Sequence, residues 1–261
     1  MKKLQSIVQN NSLSTLAILG FLITWEIGVD VTHVQKWFLP SPTAIGIALW
    51  VSRVLLLQHN IVTAFEAILG LSIATLIGFL LGCALEYSRL FKKMVLPFII
   101  ISQTIPFLVL APLLVIWFGY GLTSKILVIS LVCFYPVTIS VIDGFNMIDR
   151  DLLRLLDSLG ATKKQVFQFV KFPAVLPSFF SGLKIAGTYS IIGAVISEWI
   201  GADKGLGIFL VRSSKSYLTD RVFAIMFVIA ILSLALISTT ELIRRVSIPW
   251  FYQKTGGICV K

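Results

Sequence analysis

The stretch RDLLRLLDSLGATKKQVFQFVKFPAVLP, Arg150 to Pro177, interrupts a chain that otherwise consists of long apolar runs. It carries Arg150, Arg154, Lys163, Lys164 and Lys171 beside Asp151 and Asp157, and is punctuated by Gly160, Pro173 and Pro177. Leucines at 152, 153, 155, 156 and 159 fall on one broad helical face, with Arg154, Asp157 and Ser158 elsewhere. That pattern predicts an amphipathic helix, too short and too charged to cross a membrane. Gly160 stands where a helix C-terminus takes a residue that tolerates positive φ. ATKKQVFQFV then starts a second short helix with Val166, Phe167 and Val170 on one side, and Pro173 and Pro177 mark its end and the start of the next apolar run. Two uses fit such a bent pair: a knuckle seated in a groove of a partner, or an interfacial helix lying on the bilayer.

The surrounding chain decides the fold class. Its 261 residues are 57% hydrophobic and only 13% charged, with mean hydropathy +0.94, a balance that a water-soluble domain does not keep off its surface. The apolar material is parcelled into runs of about 20 residues, the length of a helix crossing a hydrocarbon core of roughly 30 Å. Six such runs are expected, roughly 14–31, 62–87, 94–119, 125–142, 174–200 and 222–243. They are continuous and lack period-two alternation, so helices rather than barrel strands are implied. The reading is an all-α polytopic membrane protein, a single transmembrane domain over 1–261, whose first helix is retained because no small-residue cleavage pattern follows Lys2 and Lys3.

Lys and Arg placement sets the orientation. With both termini in the cytoplasm, 14 basic residues fall on the cytoplasmic side (2, 3, 89, 92, 93, 150, 154, 163, 164, 171, 244, 245, 254 and 261), while 7 fall outside (36, 53, 125, 204, 212, 215 and 221). Lys184 lies within the fifth run. Anionic lipid headgroups account for the net charge of +10 without a nucleic acid partner. Cys83, Cys133 and Cys259 form no disulfide framework and read as small apolar residues or free thiols. With only His33 and His59, far apart, neither a metal site nor a His-based catalytic set is expected.

LGATKKQVFQFVKFPAVLP resembles the cytoplasmic loop of the membrane subunits of ATP-binding cassette importers, the binding-protein-dependent permease family. The family pattern is Glu-Ala-Ala, three residues, Gly, nine residues, Ile-x-Leu-Pro. Gly160 matches the glycine, Ala161 to Phe169 are the nine residues, and Val170, Lys171, Phe172 and Pro173 fill the last four places; Arg154, Leu155 and Leu156 stand where Glu-Ala-Ala is usual. FLPSPTAI (38–45), QTIPFLVLAPLLVIWFGYG (103–121) and ISEWIGADKGLGIFL (196–210) are similar to landmarks of the nitrate, sulfonate, taurine and thiamine-precursor branch. The resemblance implies the type I importer permease fold and a coupling element over about 149–173 that docks on a separate ATPase. In it Gly160 would set the bend, Leu156 and Leu159 anchor, and Lys163 and Lys164 touch the rim, with Asp157, Ala161 and Pro173 in the same element. It further implies two cytoplasmic ATPase subunits, which bind ATP and magnesium; an external solute-binding protein; and a second permease copy, as a homodimer or with a related subunit. The chain itself lacks a G-x-x-x-x-G-K-[ST] phosphate loop and is not expected to be an enzyme or to carry a cofactor.

Within the spans, Glu66, Asp143, Lys184, Glu198 and Glu241 are ionisable, and snorkelling or interfacial pairing is the expectation for most of them. Gln103 precedes Pro106, Tyr135 precedes Pro136, and Thr188 and Tyr189 lie in the fifth run. Such residues either line a translocation path or bond across to neighbouring helices. Gly182, Gly187 and Gly193 imply close packing of the fifth run, within the subunit or across a dimer. In SEWIGADKGLG, the glycines including Gly205 permit a tight return of the chain, and Glu198 is placed either to brace that turn or to contact a binding protein. The importer reading places the protein in a bacterial inner membrane. Its alternatives, a secondary carrier or an intramembrane enzyme, call for paired broken helices with mid-membrane charges, or for a convergent catalytic set within the spans.

Overall fold

Apolar runs of bilayer length satisfy their backbone polar groups without water only by closing on themselves, and the long runs in this chain are helical, one of them in two pieces. The structure, a computed structural model, describes residues 2–251, with side chains from residue 15 onward, so Cys259, Lys254 and Lys261 lie outside the described residues. In chain order the helices are α1 (Lys2–Thr32), α2 (Pro42–Val51), α3 (Arg53–Tyr87), α4 (Arg89–Ser102), α5 (Phe107–Phe118) and α6 (Leu122–Asn146). They continue as α7 (Arg150–Ser158), α8 (Lys163–Val166), a π-helical turn (Phe167–Lys171), α9 (Phe172–Glu198), α10 (Leu206–Lys215) and α11 (Thr219–Ser247).

Five helices, α1, α3, α6, α9 and α11, are long and apolar enough to cross a membrane, and α4 with α5 makes a sixth only as a bent pair. The third run, expected as one helix over 94–119, is instead broken, its halves meeting at 97°. Pro106 supplies no backbone N–H and disfavours the helical conformation at Ile105. Ser102 and Thr104 donate their hydroxyls to the carbonyls of Ile99 and Ile101, at 2.7 and 2.8 Å, and the Ile101 carbonyl also accepts from the Thr104 amide at 3.0 Å, so the end of α4 is closed locally. Neither half, about 21 and 18 Å long at 1.5 Å per residue, spans a core of about 30 Å alone.

Two segments expected as polar loops also carry helices. Ser41 accepts from the Ala44 amide at 3.3 Å, Pro42 follows at the first helical position, and α2 results; α3 then begins at Arg53, nine residues before the expected Val62. α10 occupies the loop after α9.

α6 is the centre of the packing, held between α3 and α9. On α3, Gly70, Ala74, Gly78 and Gly82 recur every fourth residue and admit Ile129, Val137 and Val141 of α6. A Cβ at Gly82 would meet Val141 Cγ1 at 2.6 Å. On the other side of α6, Gly182 abuts the Pro136 carbonyl and Ser140, and Gly193 faces Ile129. Gly187 faces Leu236 of α11, so the glycines of α9 serve packing within the chain.

Candidate functional site

The elbow between α6 and α9 is built by local rules. Asp149 caps α7, its carboxyl accepting from the Asp151 amide at 2.8 Å. At the other end Gly160 has φ +78°, and the amides of Gly160 and Ala161 donate to the carbonyls of Asp157 and Leu156, each at 3.0 Å. This pair of bonds is a Schellman closure. No atom lies within 4 Å of a Cβ built on Gly160, so the glycine is required by its conformation and not by crowding. Thr162 and Gln165 then form a reciprocal capping box that opens α8. Pro173 was expected to end this second helix. Instead α8 runs through the π-helical turn into α9 without a break, and Pro173 follows directly on that turn, where the regular i→i−4 ladder is already interrupted.

The elbow leaves much of its apolar surface uncovered: α7 buries none of its residues, and Leu155, Leu159 and Phe169 are 55%, 73% and 71% exposed. Leu156, Leu159, Gly160 and Ala161 share a cavity of about 350 Å³ inside the bend. Asp157, Ala161, Lys163 and Lys164 line a larger groove of about 1000 Å³ that reaches Glu86 and Tyr87 at the end of α3. Lys171 bridges to Glu86 at 2.8 Å, both side chains only 24% exposed, and this tie joins the π-helical turn to α3.

At the other end of the spans a polar cluster closes around the start of α10. The first amides of a helix have no partner inside it. Here Gly205 donates to His59 Nδ1 at 2.9 Å, Leu206 to Thr63 Oγ1 at 2.8 Å, and Gly207 to Glu198 Oε2 at 2.5 Å. Thr63 in turn donates to Glu198 Oε1 at 2.7 Å. A carboxyl group at a helix N-terminus also faces the positive end of the helix dipole. The fit demands glycine at 205, with φ +131°, where any Cβ would strike the Glu198 carboxyl group. The His59 ring stacks on Phe209 at 4.7 Å. One turn along α3 from Thr63, Glu66 pairs with Lys125 at 2.6 Å, with side chains 4% and 12% exposed. Glu198 is fully buried, with its carboxyl group turned onto the first turn of α10. Sequence reasoning missed His59, Thr63 and Lys125 as members of this cluster. The spacing of 59, 63 and 66 on one helical face was the available signal.

The expected path residues are not gathered into one cavity. Gln103 lines a cavity of about 250 Å³ at the break, with Leu110 of α5 and Val132 of α6. Tyr135 packs beside Ile99 and Ile142, Thr188 is half-buried, and Tyr189 is 43% exposed on α9.

Comparison with known proteins agrees with this architecture. The family described as binding-protein-dependent transport system inner membrane component matches residues 74–251. The formylaminopyrimidine transport permease of Halalkalibacterium halodurans is 34% identical over 237 residues, covering 90% of this chain and 94% of that protein. The taurine transport permease of Escherichia coli is 34% identical over 254 residues, covering 92% and 89%. The MetNI methionine transporter, in inward-facing crystals, shares the fold with a TM-score of 0.66 at 19% identity, over 74% of this chain and 96% of that one. An all-helical bundle with a broken span, a family match over residues 74–251 and relatives covered over about nine tenths of their length place the chain in the binding-protein-dependent inner membrane component family, the permease subunits of ATP-binding cassette importers.

Proposed function

We propose that this permease forms the translocation path for a small polar solute, a sulfonate, nitrate, taurine or a pyrimidine precursor of thiamine, delivered by an external binding protein. Two cytoplasmic ATPase subunits drive it, and a second copy of the chain completes the path as a homodimer. Both termini lie in the cytoplasm of a bacterial cell, as the basic residues favour. The observation that carries this reading is the elbow over 149–173: a double-capped bend whose exposed leucines and phenylalanine are left largely uncovered by the described residues. Its helix continues into α9 and its Lys171 grips α3, so a push on the elbow reaches the spans directly. The names of the relatives, transport permeases for formylaminopyrimidine and taurine, support the solute class.

The mechanism requires no chemistry from this chain. ATP-bound and ATP-free partners hold the elbow differently, and that difference in affinity shifts the helices between two packed states. Affinity purification from native membranes in mild detergent tests the reading. An ATPase subunit is expected in about one-to-one ratio with the permease and absent when 149–173 is altered; a stable complex without an ATPase would reject it.

A further inference from the structure

Lys184 lies near the middle of α9, one of the helices long and apolar enough to cross a membrane. It lies 12 residues after the start of α9 at Phe172 and 14 before its end at Glu198, about 18 and 21 Å along the axis. The neighbouring contacts give the same depth: Gly182 meets Pro136 and Ala186 meets Cys133, near the midpoint of α6. One side chain does not bridge such distances, so snorkelling to an interface is closed to it. Its ammonium is exposed and, among the described residues, makes no ion pair. The 12 acidic residues of the chain lie towards one end of the bundle or the other, and among them the buried Glu66 and Glu198 are already engaged, Glu66 with Lys125 and Glu198 with α10.

The row around it, exposed except for the half-buried Thr188, has the wrong chemistry for hydrocarbon. Ser181, Lys184, Ile185, Thr188, Tyr189 and Ile192 follow helical spacing along one stripe of α9, and four of the six are polar. By contrast, the exposed rows Ser72, Leu76 and Leu80 on α3 and Phe227, Ile231, Leu234 and Ser238 on α11 hold one serine each, which donates to a carbonyl of its own helix, and no ionisable group. A cation at bilayer depth that neither pairs nor snorkels belongs beside water.

We propose that this stripe lines a water-filled path and that Lys184 is its cation, giving the path a preference for solutes with a negatively charged group, carboxylate, sulfonate or phosphate. The inference rests on the permease reading and narrows its solute class. No second cation is needed from the chain, because a second copy facing the first brings its own Lys184 to the same depth.

The test uses the importer as purified from its membrane, with native cysteines replaced and Ser181→Cys or Thr188→Cys introduced one helical turn from Lys184. Two thiol reagents of similar size, sulfonatoethyl and trimethylammonioethyl methanethiosulfonate, are the probes. Both are expected to reach the new thiols, the anion faster. Lys184→Gln should lower the anion-to-cation rate ratio about tenfold, the effect of one unit charge within a turn in a partly hydrated site, and Lys184→Arg should restore it. Failure of both reagents at both positions would show a lipid-facing stripe and overturn the proposal. Labelling with a ratio indifferent to Lys184→Gln would overturn it as well. An ATPase subunit is scored in the same preparation, so loss of the importer reading and loss of this inference give different results.

Discussion

Replacing Glu198 by alanine isolates the work done by the polar cluster at the start of α10. The carboxyl group accepts from the Gly207 amide at 2.5 Å and from Thr63 Oγ1 at 2.7 Å, and is fully buried. Removing it leaves two buried donors, each costing about 1–3 kcal/mol when unserved. The Thr63 hydroxyl has a second acceptor in the His59 carbonyl at 3.2 Å and recovers part of its loss, whereas the Gly207 amide has none among the described residues. The expected destabilisation of the α9–α10 junction is about 2–4 kcal/mol, or about 30- to 1000-fold in its opening equilibrium. Amide hydrogen exchange reads this directly, because exchange through local opening follows that equilibrium. In the detergent-purified protein, Leu206 and Gly207 should exchange faster by that factor in Glu198→Ala, and by less in Glu198→Gln, which keeps one acceptor. Amides of the α6 core around Val137 should be unchanged. Exchange at 206 and 207 within about threefold of the wild type would refute the assignment of Glu198 as the cap of α10.

Gly160→Val should insert and assemble normally yet transport poorly at undiminished ATP hydrolysis, since a β-branched residue at φ +78° costs about 1–2 kcal/mol and relaxes the elbow; coupled uptake at the wild-type ratio would count against the elbow. Gly82→Leu should lower thermal stability in detergent by about 1–3 kcal/mol, because its Cβ already meets Val141 at 2.6 Å and the helices must part. Lys171→Met and Glu86→Gln should each weaken coupling more than stability, the bridge itself contributing about 0.5–1 kcal/mol at this partial exposure. A double-mutant cycle on solute transport per ATP, with no coupling between the two sites, would show that the bridge transmits nothing.

What the sequence determined by itself was whatever depends on near neighbours in the chain. Apolar run length dictated helices of spanning size, and Asp149, Gly160 and Thr162 each act within four residues of their own position, so the bend at the elbow was legible. The interruption at Pro106 carried a local signal as well, yet its 97° angle depends on how α4 and α5 pack afterwards. The tertiary structure alone decided what lies across the bundle. Ala74 and the α3 glycines are unremarkable until α6 is laid against them, and Glu198 meets Thr63 across 135 residues of chain. Lys184 is one more charge in a hydrophobic run until the packing of α6 and α11 leaves its face of α9 uncovered. A helical sequence states which residues share a face, but only the arrangement of the other helices states whether that face meets protein, lipid or water.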